Sequence, residues 1–147
     1  MAPRAGSLLM AVSLMNARTR EPVATSVELA VTRKSRRRGL LGRDRLEDSA
    51  ALILEPCAAV HTAFMRFHID VVFVNRGGYA VKIVEDVPPW RIALSARAHA
   101  VIEMAAGSLR RLDLSLGDRL YVLPASDTAG TLTASLDRKN SWTGFCA

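Results

Sequence analysis

The stretch from residue 71 to residue 84 constrains the fold of this chain more than any other. Residues 71–74 read Val-Val-Phe-Val, so every position is apolar although the side chains of a strand alternate between its two faces. A strand of this kind is covered on both faces. Residues 75–78 follow with two glycines, which supply the positive φ of tight hairpin turns, and a second, mostly apolar strand is predicted over 79–84. The sequence therefore predicts a central hairpin with a packed layer on each side.

Short strands and one or two short helices are predicted around this hairpin. Residues 14–31 read as two strands around a turn, and the apolar runs in AALILEP, AHAVIEMAAG and residues 120–123 read as further strands. Thr32 is the predicted N-cap of a helix that runs to Arg38 and ends at Gly39, and Ser108 is predicted to cap a second helix. We predict an α+β, mostly β fold: a single compact domain with a strongly curled antiparallel or mixed sheet, or a partial barrel.

The chain has the length and composition of one globular domain. It has 147 residues, of which 50% are hydrophobic and 23% charged. We expect a flexible extension over 1–13, the domain over 14–123 and a loosely ordered tail over 124–147. No stretch reaches the roughly 18 apolar residues that cross a bilayer. Residues 4–14 imitate a short signal peptide without a good cleavage site, so we expect a cytoplasmic protein.

The formal net charge of +6 is concentrated between residues 33 and 45, where seven residues are Arg or Lys. This stretch lacks the interleaved aromatic residues of a single-strand nucleic-acid binder, and Asp44, Glu47 and Asp48 are interspersed with it or follow it. Nucleic-acid binding is therefore not favoured. The stretch is interpreted as a solvated helix face, or as the docking face of a subunit in a larger assembly.

The segment CAAVHTAFMRFHID, residues 57–70, contains the side chains that are the best candidates for metal binding or catalysis. Cys57 and His61 have the residue types of zinc ligands, but no second pair stands at ligand spacing. A thiol nucleophile with His61 as its base and Asp70 as the orienting group is an alternative. The simplest interpretation is a buried strand with a polar entrance, in which Cys57 is a small apolar residue.

Charged and aromatic residues near this segment suggest a pocket. An ionised Asp70 beside the central strand must be paired or hydrogen-bonded, so it either caps backbone amides or joins Arg66 in a polar pocket. We expect loss of Arg66 or Asp70 to destabilise the protein more than Cys57→Ser. Trp90 and Arg91 follow two prolines on a stiff loop, which suits a binding surface or a lid. Glu103 lies inside an apolar strand and invites a partner such as Arg36 or Arg66.

An ordered set of motifs resembles one known family. NART, VELA, RRRGLLGR, PCAAVHTAFMRFHIDVVFVNRGG, PPWR, VIEMAAG and LSLGDRL occur in this order and cover residues 14–123. Together they resemble the family called domain of unknown function 192, and within it the branch with a VHTxxMRFxIDVVF core. The resemblance implies a compact, mostly β domain with small helices and no established activity.

The resemblance also singles out residues, none with an implied catalytic role. The positions that match family motifs are Arg36, Gly39, Gly42, His61, Thr62, Met65, Arg66, Asp70, Trp90, Arg91, Glu103, Gly107, Gly117 and Asp118. Four positions depart from the family pattern. His68 and Ala105 stand where proline is usual, and Ala63-Phe64 replaces Phe-Gly.

These observations lead to a prediction of a non-enzymatic ligand-binding or accessory module without a cofactor. Its ligand is expected to be small and anionic or hydroxylated, or else a protein partner. A small metal- or thiol-dependent enzyme that uses Cys57 and His61 is the alternative. The predicted pocket residues are His61, Thr62, Met65, Arg66, Asp70, Trp90, Arg91, Glu103 and Arg36, and the predicted structural glycines are Gly39, Gly42, Gly107 and Gly117.

Overall fold

The computed structural model describes residues 12–124, so most of the predicted extension and tail lies outside the described residues. Within these described residues, ten short strands and two short helices follow one another. They are β1 (Val12–Asn16), β2 (Pro22–Ala24), β3 (Ser26–Ala30), α1 (Arg33–Arg38), β4 (Ala50–Leu54), β5 (Ala59–His61), β6 (Ile69–Val74), β7 (Ala80–Val87), β8 (Ile92–Leu94), β9 (Ala100–Ala105), α2 (Ser108–Arg111) and β10 (Leu120–Pro124).

Within residues 12–124 the strands form three sheets, and the central sheet has five strands in the order β3-β4-β9-β6-β7. Among the described strands, only β3 and β4 pair in parallel, and the pairs β4-β9, β9-β6 and β6-β7 are antiparallel. A three-stranded sheet, β10-β1-β2, and a two-stranded ribbon, β5-β8, complete the described part. The predicted mostly β, single-domain fold is confirmed, and the sheets are not closed into a barrel.

The five-stranded sheet is packed on both faces, as the apolar run in β6 predicts. Val72 and Val74 point into a core shared with β1 and β10, and Val71 and Phe73 point into a second core shared with β5, β8 and the residues after α1. All six residues of β6 and of β9 are buried. Polar side chains in these two strands therefore need partners from inside the protein.

Local predictions hold for the hairpin and for α1. Residues 75–78 turn between β6 and β7, and the Thr32 hydroxyl accepts a hydrogen bond from the Ser35 amide at the start of α1. The positive φ at Gly39 explains why the helix ends there, because a side chain would strain this conformation. Gly42, Gly107 and Gly117 also have positive φ.

Three local predictions are wrong. Residues 14–31 form three strands, because the chain leaves the β1-β2 sheet at Thr25 and continues as β3 in the central sheet. Residues 57–70 are not one buried strand: β5 ends at His61, and a turn joins it to β6 at Ile69. Ser108 is the first residue of α2 and not its cap, which is Gly107. In the first case a contact distant in sequence decides the outcome, because β3 pairs with β4.

Candidate functional site

A pocket of about 260 Å³ lies between α1 and the central sheet. The helix and the residues after it form one wall, and the chain from Cys57 to Met65 forms the other. Glu103 of β9 lies at the floor. The lining residues are Arg33, Arg36, Arg37, Arg38, Gly39, Leu40, Leu41, Leu54, Cys57, Ala59, Val60, His61, Met65 and Glu103.

Glu103 is the most unusual group in this pocket. Its residue is 4% exposed, and its Oε2 atom has no hydrogen-bond partner among the described residues. In the sheet it lies between Leu52 of β4 and Val71 of β6, which pack in the same core. Burial raises its pKa from 4.5 to about 7, against a smaller opposing effect of the positive charge of Arg43. Neither Arg36 nor Arg66, the expected partners, forms an ion pair with it.

We expect Glu103→Gln to raise the free energy of unfolding by about 2 kcal/mol at pH 8 and to change it little at pH 4. The unfolded glutamate ionises near 4.5 and the folded one near 7, so the wild type loses stability as the pH rises through this interval. The amide carries no charge and escapes this loss, although it must still be buried. Urea unfolding at both pH values measures the difference.

Glu85→Gln is the matched control, because Glu85 lies in β7 with a side chain that is 46% exposed. Its effect should stay below about 0.5 kcal/mol at both pH values. An equal effect of Glu103→Gln at pH 4 and pH 8 would show that Glu103 is not held in its neutral form by burial.

Cys57 and His61 line the same pocket but are not hydrogen-bonded to each other. The Cys57 thiol donates to the carbonyl of Ala59 at 3.1 Å, and burial raises the pKa of this thiol. A raised pKa keeps the sulfur protonated and lowers its reactivity. Within residues 12–124, no three or more His, Cys, Asp or Glu side chains are grouped so that they could hold a metal ion.

The pocket wall formed by α1, which lies opposite Cys57 and His61, is positively charged because of its arginines. Arg36 is fixed by donating to the carbonyls of Val31 and Glu55 at 2.7 and 3.4 Å. Arg33, Arg37 and Arg38 form no ion pair with a described carboxylate, so their charge is not neutralised from within the described part of the chain. The wall is therefore suited to an anionic group, since guanidinium groups bind carboxylates and phosphates strongly.

Thr62, Trp90 and Arg91 lie together outside this pocket. The buried Thr62 hydroxyl donates to the carbonyl of Pro88 at 2.7 Å and accepts from the amide of Arg91 at 2.8 Å. Trp90 donates its amide to the carbonyl of Thr62 at 3.0 Å, while its side chain stays exposed. Thr62 thus fastens the proline loop to the end of β5.

Arg66 and Asp70 are not brought together either. Arg66 is 65% exposed and pairs with Asp44 on the surface, so the expectation that its loss orphans a buried charge is wrong. Asp70 is 1% exposed and points to the face of β6 that lies opposite the pocket. Its two carboxylate oxygens accept from the amides of Asp86, at 2.8 Å, and Leu109, at 3.0 Å. Of the two alternatives for Asp70, the structure shows the backbone cap.

Two features of the structure were not predicted from the sequence. Leu40 and Leu41, directly after the helix, line the pocket, and the apolar pair inside the basic stretch was their signal. The second feature is a network in which Asp118, a residue of the LSLGDRL motif, accepts from Asn16 at 2.8 Å and from Arg18 at 2.7 Å. No local pattern joins residues about a hundred positions apart.

Comparisons with known proteins agree with this fold. The model of the family domain of unknown function 192 (DUF192), described as an uncharacterized ACR, matches residues 14–122. A UPF0127 protein of Pyrococcus furiosus is 38% identical over 64 residues, which are 43% of this chain and 54% of that protein. The chain thus matches about half the length of this curated relative. No helix within residues 12–124 is long and apolar enough to span a membrane.

Two solved structures share the architecture. A protein of Sinorhizobium meliloti 1021, whose description proposes a transcription regulator, has a TM-score of 0.66 and 26% identity, over 78% of this chain and 96% of that one. A protein of unknown function from Novosphingobium aromaticivorans DSM 12444 has a TM-score of 0.65 and 23% identity, over 82% of this chain and 92% of that one. The second likeness shows the fold alone.

Proposed function

The chain belongs to the DUF192 family of uncharacterised proteins, and we propose that this member is a non-enzymatic module that binds a small anionic ligand. The observation that carries the proposal is the buried carboxyl group of Glu103, whose Oε2 atom has no hydrogen-bond partner among the described residues and which lies at the floor of a pocket. Buried polar atoms in native proteins nearly always have a hydrogen-bond partner. A ligand that donates a hydrogen bond supplies the missing one.

The opposite wall of the pocket defines the other end of the ligand. Arg33, Arg37 and Arg38 offer guanidinium groups that no described carboxylate neutralises, and Arg36 is held in place by two backbone carbonyls. A carboxylate or phosphate fits this wall. The ligand class is therefore a small molecule with one anionic group and one hydroxyl or amine donor. At about 260 Å³ the pocket is below the roughly 300–1,000 Å³ of drug-sized sites.

Two further points belong to the proposal. The ligand site uses His61 and Met65 of the central motif together with α1, and the proline loop lies to one side of it. Nucleic acid is not the proposed ligand, because α1 has only six residues and its arginines line a small pocket. We also propose a cytoplasmic location, which separation of cell fractions would test.

We expect L-lactate to bind about tenfold more tightly than propionate, and 4-hydroxybutyrate more tightly than butyrate. Each pair differs only in a hydroxyl group, which is the donor that Glu103 requires. Titration of ¹⁵N-labelled protein measures both affinities and maps the site, with shifted amide signals expected at residues 39–41 and 59–61.

Matched variants separate the two ends of the ligand. Glu103→Leu should abolish the preference for the hydroxylated acid, and Arg37→Gln should weaken all four acids. Arg110→Gln is the control, because Arg110 is exposed and lies outside the pocket. The proposal fails if neither hydroxy acid binds better than its parent acid, or if the shifted amides lie elsewhere.

A thiol or metal chemistry at Cys57 and His61 is the second candidate, favoured by their place in the same pocket as Glu103. The raised pKa of Cys57 argues against a nucleophilic thiol, and two ligands alone hold zinc poorly. Metal analysis of tag-free protein beside His61→Ala distinguishes the candidates: stoichiometric zinc, copper or iron that is lost in the variant would favour the second.

A further inference from the structure

A cluster of exposed apolar side chains covers one end of the molecule. Among the described residues, seven large hydrophobic residues are exposed, and four of them belong to the β5-β8 ribbon and its adjoining turns. Phe64 is 72% exposed, Trp90 61%, Ile92 75% and Leu94 57%. We call these four residues the ribbon face.

The backbone holds these side chains outward. Ile92 and Leu94 are two residues apart in β8 and share its outer side, while Ala93 between them is buried in the core. The rings of Phe64 and Trp90 contact each other edge to face, with centroids 4.6 Å apart. Both residues have positive φ, 63° and 67°, which bulky side chains seldom adopt. The positive φ angles of Phe64 and Trp90 cost backbone energy. Because both side chains stay exposed, burial within the described residues does not offset this cost.

The chain segments that carry the ribbon face have a net positive charge. Segments 57–66 and 88–98, which carry the face, contain three arginines and no acidic residue. Of these arginines, Arg66 is paired with Asp44. The helix α1 shares the pocket with β5 and adds four arginines and one lysine, again without an acidic residue. A partner that fits this surface is apolar at its centre and anionic around it.

We propose that the ribbon face docks on the surface of an anionic lipid bilayer. A bilayer accepts aliphatic and aromatic side chains at the level of its headgroups, where tryptophan is enriched, and its phosphates attract neighbouring arginines. The ribbon face meets both requirements, because its four apolar side chains project from one short ribbon and cationic residues flank them. This proposal does not depend on the ligand proposed for the pocket.

The test is flotation of the full chain with vesicles of phosphatidylcholine, or of phosphatidylcholine and phosphatidylglycerol in equal parts. We expect binding to the anionic vesicles, weakened as sodium chloride is raised, and roughly tenfold weaker for the double variant Ile92→Ser, Leu94→Ser. Phe64→Gly should also weaken binding while it relieves the strained backbone, so its loss of binding cannot be ascribed to unfolding. In a Trp142→Phe background, Trp90 fluorescence should shift to shorter wavelength with these vesicles.

Leu116→Ser is the control, because Leu116 is 64% exposed but lies in the loop between α2 and β10. It should leave binding unchanged. Absence of binding to anionic vesicles at low salt, or equal binding by the ribbon variants, would overturn the proposal. So would a concentration-dependent dimer that the ribbon variants dissociate, since the face would then be covered by a second copy of this chain.

Discussion

Replacing Asp118 with asparagine is expected to lower the free energy of unfolding by about 3 kcal/mol at pH 7. The Asp118 side chain is 5% exposed and its oxygens accept from the side chains of Asn16 and Arg18 and from the amide of Ser115. Asparagine has almost the same shape but only one acceptor, and its NH₂ group faces donors. Urea unfolding followed by circular dichroism measures the loss.

The pH dependence identifies the charge as the cause. The Arg18 hydrogen bond lowers the pKa of Asp118 from 3.8 to about 2. The charged form is therefore favoured in the folded protein, and its stabilisation is present above pH 3.8 and lost as the pH falls towards 2. The difference between the wild type and Asp118→Asn should shrink over this interval.

Asp113→Asn is the matched control for this network. Asp113 contacts the same Arg18 at 3.1 Å, but its side chain is 74% exposed. Its replacement should change stability little, because water screens the pair. Equal losses from the two variants would show that the network stabilises through the net charge around Arg18 and not through the buried hydrogen bonds of Asp118.

The parts of the fold that follow from sequence are those specified by neighbours in the chain. The β6-β7 hairpin needs only an apolar run, a glycine turn and a second run, and α1 needs only Thr32 before it and Gly39 after it. The strand β3 is different. It pairs in parallel with β4, starting at Ser26 and Ala50. No local sequence pattern predicts a partner strand that follows an intervening helix.

The candidate site also combines features that follow from neighbours in the chain with features that depend on distant contacts. Glu103 was recognisable as an acid inside an apolar strand, but its lack of a hydrogen-bond partner among residues 12–124 depends on which side chains the fold brings near it. Arg66 and Asp70 would share a face only if the chain between them were one extended strand. The turn after His61 breaks that alternation and sends Arg66 to the surface, while Asp70 starts a strand on the other side. The number of residues between two side chains predicts whether they share a face only where the secondary structure between them is known.

Replacing Asp70 with alanine is expected to lower the free energy of unfolding by about 3 kcal/mol. The carboxylate joins β7 to the start of α2, because one oxygen accepts from the Asp86 amide and the other from the Leu109 amide. Alanine leaves both amides without this acceptor in a protein interior. Cys57→Ser should cost less, as expected from the sequence, since the hydroxyl can keep the bond to Ala59. Thermal and urea unfolding measure all three proteins.

Asp86→Asn is the control that separates the role of the Asp86 amide from that of the Asp86 side chain, where Asp70 joins β7 to α2. The Asp86 side chain is 60% exposed and contacts His68, while its amide is the group that Asp70 binds. Asparagine tolerates the positive φ of 53° at this position, so the loss should stay below about 0.5 kcal/mol. If Asp70→Ala kept full stability but lost the binding of hydroxy acids, Asp70 would act on the ligand site and the structural interpretation of its two hydrogen bonds would fail. Because Asp70 faces the core opposite the pocket, we expect the reverse: a less stable protein whose folded fraction binds as the wild type does.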